Sequence, residues 1–138
     1  MGNTNSVKKI NFEDMQDMII DKNTVIVNTL DISKQKCLIK KTIAAGEEVE
    51  IINNLLKTNY ASRVVIYGMN AADDSIVRKY NQLTGLGLIN VVVYPGGLFE
   101  WLLLQDIYGN DSFPTTKKEL DILKYKGKKL GNRLMLTN

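Results

Sequence analysis

Apolar positions along the chain alternate between helical spacing and short continuous runs. Phe12, Met15, Met18 and Ile19 recur at helical spacing behind Asn11, which predicts a helix over residues 12–20 with Asn11 as its N-cap. Thr24-Val25-Ile26-Val27-Asn28-Thr29 is a β-branched run, the pattern of a strand buried on both faces in a parallel sheet. A polar loop follows, and Cys37-Leu38-Ile39 reads as a short inner strand. Past Gly46, Glu47 and Glu48 open a helix to about residue 57. Its apolar face is Val49, Ile52, Leu55 and Leu56, and its acids suit the positive end. Residues 63–67 form the next buried strand, and Ile76, Val77, Tyr80 and Leu83 mark a helix over 75–83, ended by Gly85-Leu86-Gly87. Val91-Val92-Val93 is a further strand. Pro95-Gly96-Gly97 makes a sharp turn, and residues 98–108 form an apolar helix that carries Trp101. Thr115 or Thr116 is placed to cap a last helix over 117–123. Helices alternating with strands apolar on both faces predict an α/β fold: a central parallel sheet flanked by helices on both faces.

Composition narrows the function. The 138 residues, 44% hydrophobic and 24% charged, suit one soluble domain. No apolar run approaches the roughly 20 residues of a membrane span, and no signal peptide is expected. A single cysteine excludes an internal disulfide. With no histidine as well, a zinc site is disfavoured, and neither metal nor cofactor is expected. The net charge of +3 is too mild to argue for nucleic acid.

The termini carry two charged features. Met1-Gly2-Asn3-Thr4-Asn5-Ser6 fits the N-myristoylation pattern, with Gly2 as the acylated residue. One myristoyl chain holds a membrane only marginally, and Lys8 and Lys9 supply a basic second signal. At the other end Lys124, Lys126, Lys128, Lys129 and Arg133 form a basic segment whose only aromatic residue is Tyr125. A nucleic-acid groove interleaves more stacking residues, so a solvated tail is expected there, and nucleic-acid association is a third reading behind the two below. The chain divides into a flexible N-terminal anchor segment (1–10), a domain (11–125) and a basic C-terminal tail (126–138).

The chemistry concentrates after the strand at 63–67. Gly68-Met69-Asn70-Ala71-Ala72-Asp73-Asp74 joins that strand to a helix N-terminus, a geometry that turns backbone N–H groups into an anion cradle. It holds no Cys, Ser, Lys or Arg. Two carboxylates there oppose an anion by about a kcal/mol or more apiece at near-surface dielectric. They can instead cap the helix.

The order of pieces resembles a rhodanese-like domain. Thr24 to Asn28 matches the first strand, Cys37 to Ile43 lies where that family carries its HIPGA element, and Val64 to Asp74 matches the strand and active-site loop. Gly96-Gly97-Leu98-Phe99-Glu100-Trp101 matches a Gly-Gly-x-x-x-Trp pattern, the most specific of these. Residues 94–109, Phe113-Pro114-Thr115-Thr116 and residues 119–125 are similar to rhodanese-like proteins of large nucleocytoplasmic DNA viruses and some protists. The resemblance implies the rhodanese-like fold and an active site whose first loop residue is a cysteine that carries sulfur as a persulfide. At that position this chain has Gly68, and where an arginine often closes the loop it has Asp73 or Asp74. The expectation is a non-catalytic binding or scaffold module with an unidentified protein partner. It would be cytoplasmic, and held at a membrane surface in a eukaryotic host cell or virion. The alternative is an enzyme, by sulfur transfer or related phosphatase or arsenate-reductase chemistry, with Cys37 as nucleophile. That alternative needs Cys37 exposed beside Gly68.

Overall fold

Alternating helices and strands run through the computed structural model, which describes residues 6–130. They are α1 (Phe12–Ile20), β1 (Val25–Asn28), α2 (Glu48–Thr58), β2 (Val64–Tyr67), α3 (Ser75–Leu86), β3 (Val91–Tyr94) and α4 (Gly97–Tyr108). Short 3₁₀ turns lie at Ile32–Lys34, Ala45–Glu47 and Ile122–Tyr125. The strands form one parallel sheet in the order β1-β2-β3, with Ile26 opposite Val65 and Val65 opposite Val92. Each outer strand is partly covered by one further bridge. Ile10 donates its N–H to Val93 O (2.8 Å), and Val93 donates to Lys8 O (2.8 Å). On the far side Ile43 donates to Ile26 O (2.9 Å). These single pairings cover backbone that would otherwise template aggregation.

Strand alternation divides the core in two. Ile26, Val65, Tyr67, Val92 and Tyr94 pack with Met15 and Met18 of α1 and Leu98, Trp101 and Leu102 of α4. Val27, Val64, Ile66, Val91 and Val93 pack with Ile52 of α2 and Ile76 and Leu83 of α3. Both faces of the sheet are therefore covered by helices, which is why β2 and β3 read as unbroken apolar runs. Trp101 is fully buried, edge-on to Tyr94 (6.0 Å) and Phe113 (5.0 Å), and its Nε1–H donates to Pro114 O at 3.1 Å.

Local chemistry explains the boundaries of α1. Asn11 caps α1 as the sequence predicts, and Asp14 returns a bond to its N–H to complete a capping box. The Lys41 ammonium donates to Met18 O (3.3 Å) and to Asp21 O, at the other end of that helix. Lys41 holds φ +78° to reach them.

Three elements differ from expectation. The Cys37-Leu38-Ile39 stretch is buried but is no strand; it makes one antiparallel bridge, Ile39 to Thr115. Ile39 N–H goes instead to the Tyr67 hydroxyl (3.1 Å), which also meets Thr42 Oγ1 (2.8 Å). Helix α3 does not stop at Leu83. It runs on through Gly85 to Leu86 and closes at Gly87, whose φ of +121° is the left-handed cap that glycine supplies. There is no helix over 117–123, only the 3₁₀ turn Ile122–Tyr125. Thr115 and Thr116 spend their hydroxyls on Lys117 O and Lys36 O rather than on a helix N-terminus.

Gly2, Arg133 and the apolar residues 134–136 lie outside the described residues. Lys8 and Lys9 are exposed, but their backbone pairs with β3, so the segment expected as a flexible anchor is tied to the sheet at its C-terminal end. Among the described residues no helix is long and apolar enough to cross a membrane.

Candidate functional site

In a parallel α/β sheet the strand carboxyl ends meet helix N-termini, and ligands bind there. Here those ends bring together Thr29 after β1, Gly68 after β2 and the turn after β3. The loop Gly68, Met69, Asn70, Ala71, Ala72, Asp73, Asp74 folds back between β2 and α3. The sequence-predicted loop residues are thus brought to one place.

The loop's donors are met from within. Asp73 Oδ2 accepts the Met69 N–H at 3.0 Å, and its Oδ1 accepts the Ser75 N–H at 2.9 Å. Asn70 Oδ1 accepts from Ala72 N (2.9 Å), and Asn70 O accepts from Asp73 N (3.1 Å). Half-burial opposes charge on Asp73. The N–H groups of Met69 and Ser75 and the Ser75 hydroxyl outweigh it, holding the carboxyl below the usual aspartate range. Of the two acids expected to cap α3, only Asp73 bonds its first N–H. Asp74 makes no capping bond and pairs instead with Arg78 (3.2 Å) in open solvent.

Gly68 is buried against this carboxylate. A Cβ there would stand 2.6 Å from Asp73 Oδ2, 2.9 Å from Thr29 Oγ1 and 3.1 Å from Ile76 Cγ2. Thr29 in turn shares a 2.6 Å hydrogen bond with Ser75 Oγ. The space a side chain at residue 68 needs is filled by three others.

Helix α4 locks the loop from the opposite side. Leu98 N–H donates to Gly68 O and Phe99 N–H to Met69 O, each at 2.9 Å. Gly97 makes this approach possible: its φ is +70°, and a Cβ would lie 2.8 Å from Gly68 O and 2.9 Å from Asn70 N. Above the loop, buried Asn70 donates to Tyr125 O at 2.8 Å, and Gly127 passes over Ala72.

Cys37 is not exposed beside Gly68, as the enzymatic alternative requires it to be. It is 3% exposed, its thiol donates to Lys117 O at 3.2 Å, and burial raises its pKa. Sequence reasoning missed Thr29 and the Tyr125–Gly127 crossing as parts of the site. It singled out Gly97 for its turn, but not for its approach to the loop backbone.

A parallel sheet with α1 and α4 on one face, α2 and α3 on the other, and this loop at the carboxyl end of the central strand is the rhodanese-like fold. Solved structures bear this out. The chain is similar to the rhodanese-like domain of the Alr3790 protein from Anabaena sp., at 16% identity and TM-score 0.56, covering 90% of this chain and 89% of that one. It is also similar to the Saccharomyces cerevisiae single-domain sulfurtransferase RDL2, at 14% identity and TM-score 0.51, covering 82% of this chain and 100% of that one. Thiosulfate sulfurtransferase from Pseudomonas aeruginosa matches at 16% identity and TM-score 0.58, over 86% of this chain but 23% of that one. No protein-family model and no curated protein sequence matches the chain. At such identities the likeness carries the fold, and chemistry must be argued from the residues.

Proposed function

We propose that the chain is a non-catalytic rhodanese-like binding module, with Gly68 standing where sulfurtransferases of this fold carry the reactive cysteine. The observation that carries this reading is the Asp73 carboxylate, which occupies both the loop's donors and the room beside Gly68. A glycine offers no nucleophile, and a bound carboxylate excludes the anionic sulfur donor from the cradle. Cys37 does not compensate, because a buried thiol with a raised pKa yields little thiolate. A thiosulfate:cyanide sulfurtransferase assay on the purified chain and on Cys37→Ser tests this. Background-level rates for both are expected; turnover in either overturns the reading.

Membrane attachment through an acylated Gly2 is the second part of the proposal. Its support is the Met1-Gly2-Asn3-Thr4-Asn5-Ser6 pattern together with the exposed ammonium groups of Lys8 and Lys9. The modification needs the acyltransferase of a eukaryotic cytosol, or a virus replicating in one. Labelling with a clickable myristate analogue in a eukaryotic host should mark the wild type and not Gly2→Ala. An unlabelled wild type refutes it.

A further inference from the structure

The segment that crosses the loop has a regular inside-outside pattern. Tyr125 is 1% exposed, and its carbonyl takes the Asn70 amide. Lys126 is extended (φ −66°, ψ 157°) and exposed. Gly127 turns to the loop, where a Cβ would sit 3.6 Å from Ala72 Cβ and 3.6 Å from Asn70 Oδ1. Lys128 is exposed again. Tyr125 and Gly127 thus face the body, and the two lysines that flank Gly127 are exposed beside the loop. Between them and the loop lies a cavity of about 300 Å³ lined by Met69, Asn70, Ala72, Asp73, Lys126 and Lys128.

Its lining carries two lysines and one carboxylate. Among the described residues the ion pairs are Arg78–Asp74, Lys79–Glu48 and Lys124–Glu119, and neither Lys126 nor Lys128 takes part in one. Asp73, the acid in the cavity wall, has its oxygens committed to the Met69 and Ser75 N–H groups. The cavity is thus lined by two exposed lysines that join no ion pair among the described residues, together with Met69 and Ala72, which contribute apolar surface.

We propose that this cavity is the docking site for an acidic peptide segment of a partner protein, its carboxylates paired with Lys126 and Lys128 and an adjacent apolar side chain resting on Met69 and Ala72. The inference rests on the non-catalytic reading above and gives that module a partner chemistry. Shape selects a peptide over a lipid surface: a concave site accepts a protruding side chain and keeps a flat bilayer away from its floor. Stacking is also absent, since Tyr125, the aromatic ring of the crossing segment, is buried. Charge complementarity of this kind also speeds encounter and weakens with salt.

Fluorescence anisotropy of the full chain with a fluorescein-labelled peptide alternating glutamate and leucine tests the site, with its glutamine counterpart as control. Saturable, salt-sensitive binding of the glutamate peptide is expected, weakened about tenfold or more in Lys126→Gln/Lys128→Gln. Lys22→Gln/Lys57→Gln, which removes the same charge from exposed positions elsewhere, should leave it unchanged. Amide shifts on titration should concentrate at Met69, Asn70 and Ala72. Four results overturn the proposal: no binding, equal binding of the glutamine peptide, equal losses in both double variants, or Lys126/Lys128-dependent binding to phosphatidylserine vesicles without binding to the peptide. Sulfurtransferase turnover would instead remove the non-catalytic reading and leave the titration result standing, so the two failures are distinguishable.

Discussion

Asp73 Oδ2 stands 2.6 Å from the point where a Cβ on Gly68 would lie. The residue without a side chain and the residue that fills its place are thus coupled. Gly68→Ala forces the carboxylate off two N–H donors or pushes β2 away from the loop, and overpacking of this kind costs about 1–3 kcal/mol. Asp73→Ala removes the obstacle, so in that background the same Ala is expected to cost less. Urea unfolding of both single variants and the double variant should give a coupling energy of about 0.5–3 kcal/mol. Strict additivity would mean that the carboxylate does not defend that space.

Acid should release the same contact. A carboxyl whose folded pKa lies below its unfolded value of about 3.9 adds stability that is full above the unfolded value and is lost as pH falls through the folded one. Asp73 has a lowered pKa. The stability gap between wild type and Asp73→Asn should therefore be constant above about pH 5 and narrow below about pH 4. Asp21, Asp31 and Glu119 also have lowered pKa values, but both proteins contain them and they cancel in the difference. A gap that widens on acidification contradicts the assignment.

Tyr67 ties the centre of the sheet to the 37–43 segment through one oxygen. Its hydroxyl accepts from Ile39 N and meets Thr42 Oγ1. Tyr67→Phe keeps the ring and strands a fully buried N–H, which should cost about 1–3 kcal/mol. Thermal unfolding measures the loss, and hydrogen exchange should show the Ile39 amide opening first. A change within a few tenths of a kcal/mol would mean that water replaces the hydroxyl.

Lys41 makes a sharper discrimination. Its ammonium binds Met18 O and Asp21 O while its backbone sits at φ +78°. Lys41→Ala loses the ammonium and keeps the strain; Lys41→Gly loses both. Left-handed backbone costs a residue with a Cβ roughly 1–2 kcal/mol, partly offset by the greater chain entropy that glycine loses on folding. Gly is therefore expected to be the more stable variant, with both below wild type. Ala above Gly would show that the strain is small.

These cases show which parts were legible in the sequence. Helix α1 and the run from β2 through the loop into α3 were readable because their signals are local: a capping asparagine, a β-branched run, a glycine. The 37–39 and 115–123 segments were not, because their partners are remote. Ile39 needs Tyr67, Leu38 N needs Thr116 Oγ1, and Cys37 needs Lys117 O. Helical faces were legible except at their margins, where Val49 and Val77 turn to solvent at 72% and 40% exposure. Gly85 misled because glycine most often ends a helix, whereas here a second glycine two residues later does so. The loop's position was plain from sequence, and so were its two acids. Which acid fills it was not: Asp73 and Asp74 differ by one residue, and only folding decides that one faces the cradle and the other Arg78.

The cradle still has its donors, and a carboxylate of the chain holds them. Asp73→Ala frees the N–H groups of Met69 and Ser75, removes one negative charge and opens space beside Gly68. Small oxyanions are the complement of such a hollow at a helix N-terminus. Sulfate or thiosulfate should therefore raise the melting temperature of Asp73→Ala above the effect of sodium chloride at matched ionic strength. Wild type should respond to both salts alike, and so should Asp74→Ala, whose carboxylate already lies in solvent. Saturation is expected in the variant alone, since a bound ligand stabilises by its occupancy of the folded state and a bulk salt effect does not saturate. Equal responses in Asp73→Ala and wild type would mean that the loop collapses once its carboxylate is gone. The carboxylate would then be a strut for the loop rather than a stand-in for an anion.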